Sequence, residues 1–175
     1  MNERLDTAKA AAWALVAAFA LSLHVLAAGL VAGPQLYGLL AVLGFGLLLP
    51  PIAILHVRFT PIGPQAAILA TIAGTATSIS GVGALAFGDL QPGALFFLGM
   101  WWWVVGKFSV ETGILPRAFG YATMALSLLA FAVTIGDVLG LRAGWTAARL
   151  TLAGWLVVLA WLLYRSATGR AADAG

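Results

Sequence analysis

The chemistry open to this chain rests on few side chains. Its two histidines, His24 and His56, are residues that could ligate a haem iron between helices. The order of the apolar runs argues against that use: His24 falls in the outer half of the first run and His56 at the inner end of the second, well apart along a membrane normal. The absence of cysteine excludes disulfides, thiol redox chemistry, Cys-ligated zinc and a cysteine nucleophile. There is no metal-ligand cluster, Ser-His-Asp arrangement, phosphate-binding glycine motif or mid-span lysine of the retinal-binding kind, and no cofactor is expected. No acid and base are placed by spacing to exchange a proton, so no catalytic residue is assigned and an enzyme acting on lipid ranks third among the functions.

What remains is binding chemistry. His24 lies inside an apolar run, where an ionisable group is expensive. Its neighbours at i−7, i−4, i+3 and i+4 are Ala17, Ala20, Ala27 and Ala28, a small face on which another helix can pack closely. The leading reading is a neutral imidazole bonded to a hydroxyl or carbonyl of that helix, with a proton relay or ligand contact second. Thr71, Gly74, Thr75, Ser78 and Gly81 fall on one helical face, with Thr77 and Ser80 alongside. That stripe can seal a close helix crossing or line a cavity, and the crossing is the commoner use. If a ligand is held within the membrane, His24, Thr71, Thr75, Ser78 and Asp137 are the candidate residues. Near the outer surface Asp89 and Asp137 come within reach of Arg142 and Arg149, and Arg149 either snorkels outward or pairs with Asp137. Lys107 and Glu111, four apart, form a helical pair if their helix continues past Gly106.

The elements that must position these groups are membrane helices. The chain is 62% hydrophobic and 9% charged, with mean hydropathy +1.02, against about a quarter charged in a soluble domain. The expected architecture is all-α, a single integral membrane domain of six transmembrane helices spanning about 10–32, 36–55, 65–87, 93–107, 116–138 and 145–164. The first run is read as a retained span and not a signal peptide, because its apolar core is too long. Gly33-Pro34 turns the first helix back, and Pro50-Pro51 predicts a kink in the second. Residues 165–175 are expected to form a short frayed tail. With the N-terminus and C-terminus cytoplasmic, Arg4, Lys9, Arg58, Lys107, Arg117, Arg165 and Arg170 lie inside, leaving Arg142 and Arg149 outside. Because the nine bases are dispersed singly, lipid headgroups account for the net charge of +3 and nucleic acid is not an expected partner.

The chain is organised around WWWVVGKFSVETGILPRAFG, residues 101–120, where one helix leaves the membrane and the next enters. Trp101, Trp102 and Trp103 point in three directions, and with Lys107 and Arg117 they are assigned to membrane anchoring. TPIGPQAAILAT at 60–71 aligns without gaps on TGILPRAFGYAT at 112–123, either as two similar loop-to-helix junctions or as a duplicated hairpin in parallel.

The junction Leu115-Pro116-Arg117, followed by Gly120 and an outward-running helix, resembles uncharacterised small bacterial membrane proteins that share a domain of unknown function. The likeness covers residues 95–140 and implies a six-helix protein of the bacterial inner membrane, with no catalytic or binding residue carried across. Scarce catalytic groups, short links and abundant small and aromatic helix faces lead to an accessory or structural subunit packing in a larger membrane complex or homo-oligomer. The alternative is a small carrier or binder of a hydrophobic or weakly polar ligand through the intramembrane polar face.

Overall fold

The structure, a computed structural model, describes residues 3–29, 34–87, 90–140 and 144–172. Among these, seven α-helices follow in order: α1 (Glu3–Gly29), α2 (Pro34–Gly46), α3 (Leu49–Phe59), α4 (Pro64–Ala86), α5 (Gln91–Thr112), α6 (Arg117–Val138) and α7 (Gly144–Ala172). Helices α2 and α3 together make one long apolar segment, so six segments are long and apolar enough to span a membrane, with mean hydropathy from 1.3 to 2.3.

The break between α2 and α3 falls at Leu47 and Leu48, just ahead of the proline pair. Leu48 N–H bonds the Phe45 carbonyl at 3.2 Å, a tighter turn than the α-helical one, before Ile52 N–H resumes on the Leu48 carbonyl at 3.0 Å. Pro50 and Pro51 thus occupy the first turn of α3, where a missing N–H costs no helical bond.

Several boundaries differ from the sequence expectation in one direction. Helix α3 runs to Phe59, placing His56 and Arg58 on the helix. Helix α5 runs to Thr112, where Gly113 ends it in the left-handed region at φ 71°. Helix α7 continues to Ala172 in place of the expected frayed tail. Polar residues at a membrane boundary do not end a helix unless a glycine or proline obliges them to, which is why composition placed these ends too early.

Around the bundle the order is α7, α1, the α2–α3 pair, α4, α5 and α6, with only slight contact closing α6 back onto α7. The most extensive pairings are α5 with α6 and α1 with α7. Helix α1 buries Thr7, Ala10, Ala14, Ala17, Leu21 and His24, residues three and four apart, while α7 buries Leu152, Leu156, Leu159 and Leu163 at similar spacing. An alanine face lets leucines of a neighbour approach the backbone, the form membrane packing takes when lipid supplies no hydrophobic contrast. At the end carrying the chain termini, the Arg58 guanidinium donates to Ser166 Oγ at 2.8 Å and Thr7 Oγ1 at 3.4 Å, tying α3 to α7 and α1.

Candidate functional site

Buried nitrogens without a partner occur at the tryptophan core, in Trp101 and Trp102 Nε1, and in a polar cluster where α1, α2 and α7 meet. His24 is fully buried. Its Nδ1 stands 3.0 Å from the Tyr37 carbonyl on α2, and since a carbonyl only accepts, Nδ1 carries the hydrogen. The imidazole also lies against the Tyr37 ring, with centroids 3.8 Å apart. Tyr37 continues the chain of contacts through its hydroxyl, which accepts from Arg149 Nη1 at 3.5 Å.

Arg149, on α7, is 4% exposed. Its Nη2 donates to Thr146 Oγ1 at 3.1 Å, and the guanidinium carbon is 5.6 Å from the centre of the Trp145 ring, itself stacked on Phe45 of α2. Two buried nitrogens of this cluster, His24 Nε2 and Arg149 Nε, have no hydrogen-bond partner. The local sequence explains the assembly: Ala20 and Ala27 flank His24 on a small face, and Gly44 lets α2 settle directly on Leu21.

The α4 stripe does not join this cluster. Thr71 donates to the Ala67 carbonyl at 2.8 Å and accepts from His56 Nδ1 at 2.8 Å. Ser78 donates to the Phe45 carbonyl at 2.7 Å, and Thr75 is half-buried beside them. A side chain at Gly74 would strike Ile52 and Trp101, and one at Gly81 would strike Phe45. The stripe is spent on close crossings with α2, α3 and α5. His24 therefore finds its hydrogen-bond partner on α2, while Thr71 and Ser78 of the stripe bond within α4 and across to α2 and α3, the close-crossing use of the two that its sequence allows.

Asp137 is half-buried near the end of α6, and among the described residues no ion pair joins it to Arg149. The other two members of the expected outer cluster, Asp89 and Arg142, lie outside the described residues. Lys107 and Glu111 do pair, at 3.8 Å on α5, with both side chains more than half exposed at 56% and 57%.

The tryptophan anchoring assignment needs a larger correction. Trp101 and Trp102 are 0% and 2% exposed and pack edge-on or tilted against Trp155 of α7, at 5.2 and 6.0 Å between ring centres. Trp155 in turn donates from Nε1 to Thr123 Oγ1 on α6 at 2.9 Å. These rings pack together inside the bundle, where Gly74 on α4 leaves room for Trp101; Trp103 is half-buried, and Lys107 and Arg117 are exposed. The residues that sequence reasoning missed are Tyr37, Thr146 and Trp145 around Arg149, and Trp155 at the core.

Among the described residues no group of three or more His, Asp or Glu side chains converges on a point where a metal could sit. The cluster's leftover groups suit hydrogen bonding and charge recognition. Comparison with known protein families, with characterised proteins and with solved structures finds no match to this chain.

Proposed function

We propose that this chain is an integral protein of the bacterial cytoplasmic membrane, crossing it six times with both ends in the cytoplasm. Its role there is that of a non-catalytic packing subunit in a homo-oligomer or a larger complex. Seven of the nine bases lie on the side of the chain ends, the asymmetry that holds loops in the cytoplasm. The bacterial setting follows the resemblance of residues 95–140 to small bacterial six-helix proteins.

The observation that carries the packing role is the seam between α6 and α7. The two backbones come close at few points, with Phe119 and Thr123 of α6 meeting Trp155 of α7 across the gap, and a groove of about 660 Å³ opens beside that contact, walled by Leu115, Phe119, Ala122, Val158, Trp161 and Leu162. Helix α6 is the least enclosed crossing, with 28% of its most apolar stretch buried, against 56% for α5. A groove of this shape takes a helix or lipid chains, and a helix fits the exposed aromatic and aliphatic residues of α6. The carrier reading is less favoured because the α4 hydroxyls it needs are engaged in helix crossings.

The chain has no cysteine, so Ala122→Cys supplies a single reactive thiol in the groove. Oxidative or bifunctional crosslinking in native membranes should give a discrete dimer or a larger defined species on blue-native gels. A monomer at every crosslinker concentration would refute the packing role.

A further inference from the structure

Arg149 is a full positive charge inside the bundle with no carboxylate beside it among the described residues. A buried charge without a counter-charge is costly. The groups around it are neutral: the Tyr37 hydroxyl at the limit of hydrogen bonding, the Thr146 hydroxyl and the face of Trp145. None cancels the charge, and the Nε donor is unused.

Position adds a second reason to look for an anion. Arg149 lies five residues after Gly144, the start of α7, which is about 7.5 Å of helical rise. The opening turn of a helix presents free N–H groups and the positive end of the helix dipole. Thr146, in that turn, is exposed and accepts from Arg149 Nη2, so one hydrogen bond of the buried guanidinium ends on a surface residue. Trp145 beside it is buried, stacked on Phe45 and turned with its ring towards the guanidinium. Positive potential from side chain and backbone thus converges on a surface where lipid phosphodiesters lie.

We propose that Arg149, with Thr146 and Tyr37, forms a binding site for a phosphate-type oxyanion, the phosphodiester of an anionic phospholipid or free phosphate. The planar guanidinium can offer Nε and an Nη together to two oxygens of one phosphate, and the Tyr37 and Thr146 hydroxyls can turn to donate. A carboxylate of a partner protein is the competing occupant. It is disfavoured because the site opens beside the first turn of a helix at the boundary where phosphate is abundant.

The test uses the full chain purified in mild detergent and native mass spectrometry. The protein is presented with equal amounts of phosphatidylglycerol and phosphatidylethanolamine carrying the same acyl chains. Wild type should retain phosphatidylglycerol by about tenfold or more over the zwitterionic lipid, because the ethanolamine ammonium offsets the phosphate charge that phosphatidylglycerol leaves to the guanidinium. Arg149→Gln should bring the ratio to about unity. Thr146→Glu keeps the fold, since the position is exposed, and should abolish the preference by supplying a carboxylate in place of the ligand. Thermal stabilisation by millimolar inorganic phosphate, lost in both variants, without lipid preference would assign the site to free phosphate. No preference and no phosphate response in wild type would overturn the proposal, as would a preference that survives in the two variants or a crosslink from this site to an acidic protein partner.

Discussion

Gly106 of α5 and Gly120 of α6 touch backbone to backbone: a Cβ built on either would lie 2.8 Å from the carbonyl oxygen of the other. The contact is reciprocal, and it sets the separation of the most extensively packed helix pair in the bundle. Seven residues along each helix the seam continues, with Ser127 Oγ donating to the Gly99 carbonyl at 2.7 Å. The Gly99 carbonyl thus accepts a hydroxyl from the neighbouring helix, so close approach and polar bonding act together.

Substituting alanine at Gly106 or Gly120 should therefore push the two helices apart. The expected cost is about 1–3 kcal/mol, the range for overpacking a filled interface. Thermal unfolding in detergent would measure it, with Gly154→Ala as the control, because nothing lies within 4 Å of a Cβ at Gly154. If the control is destabilised as much as the seam variants, helix contact is not what those glycines provide.

Trp101 and Trp103 should respond oppositely to truncation. Trp101 is fully buried against Trp155. Removing its indole leaves a cavity at the bundle centre, so Trp101→Ala is expected to cost about 3–5 kcal/mol. Trp103 is half-buried, and Trp103→Ala should lose well under half as much. Equal losses, or a Trp101 variant rescued by thicker lipid headgroup regions, would restore the anchoring role that its residue type suggested.

What was legible in the sequence and what was not divides along a physical line. The bilayer sets the length of a crossing, so six apolar helices could be read from residue order alone. The burial of His24 followed from its alanine neighbours, because a small face must be covered. Its hydrogen-bond partner did not follow, since these helices are apolar on all sides and no moment reveals how each is rotated. The hydroxyl stripe on α4 pointed towards His24 by type, while the fold brings Tyr37 there. Trp101 and Trp102 were misplaced for a similar reason: tryptophan favours headgroups on average, but the room left by Gly74 and the facing Trp155 decides these two.

The hydrogen bond between His56 Nδ1 and Thr71 Oγ1, at 2.8 Å, offers a measure of polar bonding across α3 and α4. A double-mutant cycle of His56→Phe and Thr71→Val should give a coupling of about 0.6 kcal/mol, the average for such pairs in membranes, and no more than about 1.7 kcal/mol. Thr123 occupies the matching place in the second hairpin and accepts from Trp155 instead. In both hairpins the threonine before the link also bonds the carbonyl four residues back, Thr60 to His56 and Thr112 to Phe108, each at 2.7 Å. The two junctions share local chemistry as well as spelling. A coupling near zero for His56 and Thr71 would mean the short distance contributes nothing to stability.

The inside and outside groupings of polar residues depend on which face holds the chain ends, and the lack of native cysteine makes that directly measurable. Leu139, at the end of α6, is 74% exposed, while Arg117 and Gly169 are exposed at the opposite end of the bundle. In cells expressing single-cysteine variants, a membrane-impermeant maleimide should label Leu139→Cys from outside and reach Arg117→Cys and Gly169→Cys only after lysis. Six crossings oblige Arg117 and Gly169 to behave alike, whatever the orientation. Labelling of one without the other would mean a crossing has been miscounted, and labelling of both from outside would reverse the orientation while leaving the bundle itself unchanged. The second outcome would move the Arg149 cluster to the cytoplasmic leaflet, where anionic headgroups are more abundant.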